Sequence, residues 1–189
     1  MLKRFFTSSI ERAFVVQKMD HNVVLFKMNR PRQRNAISRL FVDQFREAVE
    51  ENQNASCVIL TSSEPGMFCA GADLKERKEM TADQVVSFKK KMVATFNEFE
   101  AMECPTISVI DGVALGGGCE LSLCSDIRIC TESAILGLPE TGLAIIPGAG
   151  GTQRLPRLIG VSRAKELIFT GRRLSAHESL DYGLVNYVQ

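Results

Sequence analysis

The stretch DGVALGGGCELSLCSD, from Asp111 to Asp126, decides how this chain is interpreted. Three consecutive glycines precede a cysteine, a glutamate and an apolar segment. Ordering three glycines is costly, because each loses much backbone freedom on folding. A glutamate placed against apolar side chains is also costly unless it is paired or used. The combination therefore indicates a site rather than a plain structural turn.

Outward from this stretch, the preceding segment TISVI, residues 106–110, is typical of a buried strand, and the glycines are predicted to start a helix. The first amides of a helix have no acceptor within it and carry the positive end of its dipole. Without side chains, these amides can be approached closely by a ligand. Glu120 would lie about one turn into the helix. Such amides can hold an oxyanion, and the carboxyl group can handle protons or water.

Two further stretches complete this prediction. PGMFCAGADLK, residues 65–75, follows the buried strand CVILT, and its Gly71-Ala72 step can offer a second backbone N–H. Downstream, ILGLPETGLAIIPGAGG, residues 135–151, places Glu140 after a proline in an otherwise apolar loop. The sequence thus contains two candidate amide donors and two candidate carboxylates.

Each of these patterns has a simpler interpretation. The three glycines could serve tight helix–strand packing or bind a phosphate, although neither G-x-G-x-x-G nor GxxxxGK[ST] is present. The GAGG run at 148–151 could be an ordinary helix start. Glu140 taken alone could be a solvated loop residue, and Lys89 to Lys91 are interpreted as a solvated helix face.

The order of predicted elements indicates an α/β protein with crossover connections and no linker that would divide it. The segment from Ser62 to Lys75 is predicted to be an irregular loop. Helices are predicted at Arg39 to Asn52, after the capping box of Thr81 and Gln84, after the three glycines, from Gly151 through Arg157, at Ser162 to Thr170, and after the capping box of Ser175 and Glu178. Strands are predicted at Phe14 to Met19, Val23 to Met28, Cys57 to Thr61, Thr106 to Ile110, Ile127 to Cys130 and Leu184 to Val188.

Composition narrows the function classes. The 189 residues include 45% apolar and 24% charged residues, typical of a globular domain with a sizeable core. Lysine and arginine total 23 against 22 acidic residues, so the net charge is +1. This lacks the strong positive charge typical of proteins that bind nucleic acid, and it disfavours nucleic acid as the main partner. No apolar run approaches the roughly 20 residues of a membrane span.

Metal and thiol chemistry are disfavoured by the same sequence. The two histidines are far apart, no CxxC is present, and a zinc site is therefore not expected. The six cysteines lie within apolar segments, which is typical of buried, reduced thiols. Neither Cys69 nor Cys119 has a histidine nearby in the sequence that could activate it as a nucleophile. Whether the fold brings a histidine close to either thiol stays open at this point.

The N-terminal residues 1–12 are predicted to be a mitochondrial presequence or a disordered terminus. Up to Ile10 they contain Lys3, Arg4, hydroxyl groups and two phenylalanines but no acidic residue. The predicted location is the mitochondrial matrix, and residues 13–189 would form the folded domain.

Taken together, AGADLK, ALGGGCEL, LPET and IIPGAGGTQRLPR, in this order and spacing, resemble the crotonase (enoyl-CoA hydratase/isomerase) superfamily. The resemblance runs from about Phe14 to Gln189. FCAGADLKER and LAIIPGAGGTQRLPR are most similar to the branch of methylglutaconyl-CoA hydratase and the enoyl-CoA hydratase domain-containing proteins. The resemblance implies a ClpP-like spiral of repeated ββα units, an acyl-CoA thioester as substrate, and no cofactor beyond the coenzyme A of that substrate.

The resemblance also implies roles for particular residues. Ala72 and Gly117 would donate the two oxyanion N–H groups, Glu120 and Glu140 would be the acid/base pair, and Gly148 would help to place the water. The bound CoA thioester would be bordered by a larger set of residues: Arg34, Ala36, Ala70, Asp73, Leu74, Lys75 and Gly116.

Several functional hypotheses stay open at this stage. Members of the family continue into C-terminal helices that cover the acyl pocket and build a trimer or hexamer, and this sequence lacks them, so exposed apolar surface and altered association are expected. Hydration of an enoyl-CoA is predicted because both glutamates are present, whereas isomerases usually keep one. A catalytically idle form and an AU-rich RNA-binding protein also stay open. Under the RNA-binding hypothesis, the helix predicted at Arg39 to Asn52 would contact the RNA. It contains Arg39 and Arg46 but also four acidic residues, which disfavours nucleic acid as a partner.

Overall fold

The computed structural model describes residues 12–189. The predicted presequence lies outside the described residues except for Arg12, which is exposed, and it stays a prediction. Within the described part of the chain, no helix is both long and apolar enough to cross a membrane.

Within residues 12–189, ten strands form two sheets. The larger sheet has the order β1-β2-β3-β5-β7-β10 and is parallel except for the antiparallel pair of β1 and β2. The smaller sheet has the order β4-β6-β8-β9, and its last pair is antiparallel. The strands are β1 (Phe14–Lys18), β2 (Val23–Met28), β3 (Cys57–Ser62), β4 (Met67–Cys69), β5 (Thr106–Ile110), β6 (Val113–Leu115), β7 (Ile127–Cys130), β8 (Ile135–Gly137), β9 (Arg173–Ser175) and β10 (Tyr187–Val188).

In the described part of the chain, seven α-helices pack around these sheets, and both predicted capping boxes are confirmed at Thr81 and Ser175. The helices are α1 (Arg39–Glu51), α2 (Leu74–Lys78), α3 (Ala82–Glu100), α4 (Gly117–Ser122), α5 (Gly151–Ile159), α6 (Val161–Thr170) and α7 (Ala176–Asp181). A 3₁₀ helix, Pro139–Leu143, precedes α5.

The predicted α/β class is confirmed, and its repeating unit is a pair of strands followed by helix. In the pairs β3/β4, β5/β6 and β7/β8, the first strand joins the larger sheet and the second joins the smaller one. The smaller sheet was not predicted, because strands of three residues give too little alternation to recognise. The expected loop from Ser62 to Lys75 is wrong in two places, since it contains β4 and α2, and the expected last strand is shorter, at Tyr187–Val188.

A short turn, or corner, joins the two strands of each pair: β3 to β4, β5 to β6, and β7 to β8. These corners are stacked directly on one another. Gly112, at φ +73°, passes so close to Gly66 that a Cβ atom on Gly112 would lie 2.0 Å from the Gly66 carbonyl oxygen. Val113 donates its N–H to the Gly66 oxygen over 3.2 Å, and Ile135 donates to the Gly112 oxygen over 3.1 Å. Asp111 adds a side-chain bond, because its Oδ2 accepts the Gly66 N–H over 3.0 Å. Each corner is therefore hydrogen-bonded to the next.

The core is centred on phenylalanines where α1 and α3 cover the larger sheet. Phe45 is fully buried, stacks on Phe14 at 5.1 Å between ring centroids, and meets Phe96 edge-on at 6.2 Å. Both predicted helices are confirmed, and their buried residues recur at helical spacing: Phe41, Phe45 and Val49 on α1, and Phe88, Met92, Phe96 and Phe99 on α3. This packing fixes α3, one side of which also reaches the cavity described below.

A buried arginine fastens the end of the described chain to the sheet. Arg128 on β7 donates from Nε to the Leu184 carbonyl over 2.8 Å and from Nη1 to the Ser125 carbonyl over 2.5 Å. Its backbone N–H is accepted by Asn186 over 2.9 Å. Burial lowers the pKa of the Arg128 guanidinium.

Candidate active site

A cavity of about 700 Å³ opens where the smaller sheet ends and several glycine-containing turns meet. It is lined by the segment after β4, the start of α4, the 3₁₀ helix, the loop before α5 and one side of α3. Eight of the twelve predicted site residues line it: Ala70, Ala72, Leu74, Gly116, Gly117, Glu120, Glu140 and Gly148. Segments that are far apart in sequence therefore form one concave surface.

Two backbone N–H groups in this cavity have no acceptor among residues 12–189. Ala72 forms an isolated parallel bridge with Ile37. In this bridge the Ile37 N–H donates to the Gly71 carbonyl oxygen, and the Asp73 N–H donates to the Ile37 carbonyl oxygen. Alternation along an extended chain points the N–H of Ala72 away from that bridge. Gly117 is the first residue of α4, where a helix leaves its N–H unpaired. A Cβ atom built on Gly117 would lie 3.8 Å from the Ala72 nitrogen, so the two groups are neighbours.

The three glycines of the opening stretch lie in three different environments. Gly116 has φ +53°, a conformation that favours glycine. A Cβ atom on Gly117 would lie 3.0 Å from Cδ1 of Ile37, inside the cavity wall. A Cβ atom on Gly118 would lie 2.3 Å from the carbonyl oxygen of Cys69, so α4 packs directly against β4. The simpler packing interpretation is therefore correct for Gly118, whereas Gly116 and Gly117 shape the cavity.

Glu120 is held by the turn that starts α5. Its Oε1 accepts the N–H of Ala149 and the N–H of Gly151, each over 2.7 Å, and its side chain is 2% exposed. Burial raises the pKa of Glu120, while the N–H groups of Gly151, Ala149 and Gly148 and the charge of Arg154 act in the opposite direction. The sequence predicted that Glu120 lies in the site, but it did not predict that the GAGG turn would bind its carboxylate.

Glu140 faces the same cavity with fewer partners. It is 8% exposed, and its Oε2 has no hydrogen-bond partner among the described residues. A Cβ atom on Gly116 would lie 3.1 Å from its Oε1, so the carboxyl group lies against the start of α4. Burial raises the pKa of Glu140 to about 7, and the negative charge of Glu120 adds to this shift. Glu140 is therefore suited to hold a proton near neutral pH, and the interpretation of a solvated loop residue is wrong.

This raised pKa predicts how Glu140 affects stability. The Glu140 pKa is about 7 in the folded protein against an ordinary 4.5, so ionising this group costs native stability as pH rises through that window. Below it, both states are protonated and the group contributes nothing. As the pH rises from about 4 to about 8, we expect the free energy of unfolding of Glu140→Gln to rise by about 3 kcal/mol relative to that of wild type. Urea unfolding at both pH values measures this, and a pH-independent difference would contradict it.

Four predicted residues lie outside the cavity lining. Arg34 and Lys75 are exposed, and the Arg34 carbonyl accepts the Ala70 N–H over 3.0 Å beside the cavity. Asp73 caps α2 by accepting the Glu76 N–H, and it also pairs with Arg30 at 3.2 Å. Ala36 is buried, and its carbonyl accepts a bond from Arg30. The structure thus gives Asp73 and Ala36 structural contacts, and the CoA contacts assigned to all four stay predictions.

Other lining residues were not predicted. Ile37, Arg77, Lys89 and Met92 contribute to the wall. Lys89 is exposed at the opening, and its Cε would lie 3.2 Å from a Cβ atom on Gly148. Its spacing of three residues from the buried Met92 on α3 was the available signal, because such residues share a helix face.

The thiols near the cavity are poor nucleophiles. Cys69 and Cys119 are buried, and burial raises the pKa of each to about 12, so both carry their protons at neutral pH. All six cysteines are free. Within residues 12–189, no group of three or more histidine, cysteine, aspartate or glutamate side chains could hold a metal ion.

A family model described as enoyl-CoA hydratase/isomerase matches residues 18–189 of the chain. The chain belongs to this family. The match includes every lining residue named above, so the cavity lies entirely within the matched part of the chain.

Similar proteins support the assignment and the fold. The chain is 47% identical over 171 residues to human mitochondrial enoyl-CoA hydratase domain-containing protein 2, covering 89% of this chain and 59% of that protein. It is 45% identical over 176 residues to human mitochondrial methylglutaconyl-CoA hydratase, covering 92% and 52% respectively. The crystal structure of enoyl-CoA hydratase from Bacillus anthracis is 50% identical, with a TM-score of 0.91, covering 94% of this chain and 70% of that one. The predicted crotonase fold and branch are confirmed, and the chain spans about half to two thirds of its curated relatives.

Proposed function

We propose that the protein is an enoyl-CoA hydratase, which adds water across the α,β double bond of an acyl-CoA thioester. One observation supports this above the others. Two buried glutamates, Glu120 and Glu140, line the same cavity as two backbone N–H groups without acceptors among residues 12–189, those of Ala72 and Gly117. A reaction that needs an oxyanion site and a pair of acid/base groups uses all four.

In the proposed mechanism the thioester oxygen accepts hydrogen bonds from Ala72 and Gly117. These bonds draw electron density from the conjugated C=C bond, so Cβ becomes electrophilic and the enolate that forms is stabilised. A single donor of this kind is worth roughly 10²–10³ in rate. Ile37 closes one side of the oxyanion site and limits the space around the carbonyl group.

The two glutamates then divide the proton transfers. Glu120, whose Oε1 is fixed by Ala149 and Gly151, orients the attacking water and accepts its proton. Glu140, whose pKa is about 7, delivers a proton to Cα. Gly148, beside Glu120, helps to place the water. Because the carboxylates interact, protons are shared by the pair, and the observed titration belongs to both. Positioned acid/base groups contribute roughly 10²–10⁴ in rate.

We further propose the partners and location expected for such an enzyme. The substrate is an acyl-CoA thioester whose coenzyme A arm lies near Arg34 and Lys75, with no separate cofactor. Large apolar side chains on the cavity loop and on α6, including Ile146 and Phe169, are exposed and offer contact area for a trimer or hexamer. Sedimentation tests this assembly. The names of several relatives point to mitochondria, the location proposed for this chain.

Nucleic acid is a less suitable partner for α1. Arg39 pairs with Glu76 at 2.9 Å, and Arg46 pairs with Glu50 at 2.8 Å and with Glu98 at 3.3 Å. Both arginines are thus already engaged by carboxylates on the face that would have to bind phosphates. A gel shift with AU-rich RNA at increasing salt tests this alternative directly.

An acyl-CoA panel tests the proposed function. Crotonyl-CoA, longer 2-enoyl thioesters and methylglutaconyl-CoA are each supplied, and loss of the conjugated double bond is followed with product identification. Hydration of at least one member is expected. Conversion of a 3-enoyl to a 2-enoyl thioester without water addition would assign an isomerase instead, and no turnover of any thioester would support a catalytically idle form.

A further inference from the structure

The turn that holds Glu120 is itself held by a buried arginine that the mechanism above does not use. Arg154, on α5, is 7% exposed, and its Nη1 donates to the carbonyl oxygen of Ala149 over 3.0 Å. The N–H of the same Ala149 donates to Glu120. One residue therefore receives a bond from Arg154 on its carbonyl side and gives a bond to the carboxylate on its N–H side.

The guanidinium group is anchored on its other side by α3. Nε and Nη2 of Arg154 both donate to Oε2 of Glu100, over 2.9 and 2.6 Å, and Nη2 also donates to Asn97 over 2.6 Å. Planar, paired donors of this kind fix orientation as well as distance. Because α3 is packed into the phenylalanine core, its contacts with Arg154 hold the guanidinium group in a fixed position. The guanidinium group in turn holds the turn through the Ala149 carbonyl oxygen.

The turn is shaped around this guanidinium group. Gly150 has φ +106°, and a Cβ atom built on it would lie 1.9 Å from Nη1 of Arg154. The arginine therefore occupies the volume that any other residue at position 150 would need. This gives the second glycine cluster of the sequence a purpose beyond starting a helix, and it links Gly150, Arg154 and Glu120 in one arrangement.

We propose that Arg154 is a positioning residue that acts through the turn of residues 148–151 to fix the carboxylate of Glu120 toward the attacking water. It does not touch the substrate. Without it, Ala149 and Gly151 lose their fixed direction, and Glu120 samples orientations that do not align the water with Cβ. Displacements of about 1 Å in catalytic groups cost on the order of 10² in rate. The inference depends on the proposed hydratase function for its kinetic part only.

The test compares Arg154→Met with Arg128→Met. Arg128 is another buried arginine, which donates to two backbone carbonyls and lies outside the cavity lining. In Arg154→Met, kcat per folded molecule is expected to fall roughly 10- to 100-fold with KM changed by less than about threefold. Arg128→Met should retain kcat. Equal losses of kcat in the two variants at equal folded fraction would show general destabilisation and overturn the proposal.

Amide hydrogen exchange gives a readout that does not depend on activity. The N–H groups of Ala149 and Gly151 are expected to exchange at least about tenfold faster in Arg154→Met, while strand β5 keeps its protection. If wild type hydrates no thioester, the proposed function fails, yet this measurement still decides the role of Arg154. Unchanged exchange at both amides in a folded variant would contradict it.

A milder variant covers the case in which Arg154→Met does not fold. Glu100→Gln removes the carboxylate that anchors the guanidinium, and Glu100 is exposed enough to tolerate the change, with 46% of its side chain accessible. A fall in kcat of roughly 3- to 10-fold and faster exchange at Ala149 and Gly151 are expected. Wild-type values for both measurements would overturn the proposal.

Discussion

Glu140→Gln is expected to lower the hydration rate of crotonyl-CoA by at least about 100-fold while binding of a thioester persists. Glutamine has nearly the same size and polarity as a protonated glutamate but cannot deliver its proton to Cα. The carboxyl group of Glu140 lies against Gly116, where the isosteric amide also fits, so the cavity should keep its shape. Steady-state kinetics measures the rate, and titration with butyryl-CoA, a saturated analogue, measures binding.

Glu132→Gln is the matched control for this variant. Glu132 is an exposed glutamate outside the cavity lining, and its replacement should leave both turnover and thioester binding at wild-type values. Wild-type turnover in Glu140→Gln would remove Glu140 from the mechanism. Loss of butyryl-CoA binding together with turnover would instead assign Glu140 a role in substrate binding.

Gly117→Pro is expected to abolish hydration, because proline has no N–H to offer the thioester oxygen. A loss of at least roughly 10²–10³ in kcat follows from removing one oxyanion donor. The fold should survive, since Gly117 is the first residue of α4, the helix position at which proline is best tolerated. Circular dichroism checks folding, and kinetics with crotonyl-CoA checks activity.

Gly117→Ala separates the loss of the N–H from the added bulk. Alanine introduces the same Cβ atom 3.0 Å from Cδ1 of Ile37 but retains the hydrogen-bond donor. We therefore expect Gly117→Ala to retain far more activity than Gly117→Pro. Equal losses in the two variants would attribute the effect to crowding against Ile37. Activity above about a tenth of wild type in Gly117→Pro would place the oxyanion site elsewhere.

The sequence predicted the larger sheet well, because its strands are continuous apolar runs bounded by turns. Cys57–Ser62 and Thr106–Ile110 are of this kind, and α1 is marked by phenylalanines at helical spacing. The smaller sheet could not be found in the same way. Strands such as Val113–Leu115 are three residues long and include or adjoin glycine, and they are defined by pairing with segments about 20 or more residues away.

For the site, the sequence indicated which residues meet but not how they are held. Glu120 and Glu140 were identified from glycine-bearing turns and their surroundings, and the structure places both in one cavity. The binding of Glu120 by the GAGG turn, and of that turn by Arg154, depends on contacts between α4, α5 and α3. Contacts of this range leave no periodic pattern in one sequence, so reasoning from motif and spacing alone does not reach them.

The stacked corners at Gly66 and Gly112 limit how this fold can be engineered. Since the two backbones touch and the next corner bonds to Gly112, lengthening one strand-to-strand connection would push apart the adjacent layers as well. Chimeras between relatives should therefore exchange whole layers cut within the helices, where side chains can adapt, and never at the corners. Insertions meant to change substrate preference are better placed at Ile145 and Ile146, exposed residues of the loop that follows the 3₁₀ helix and lines the cavity.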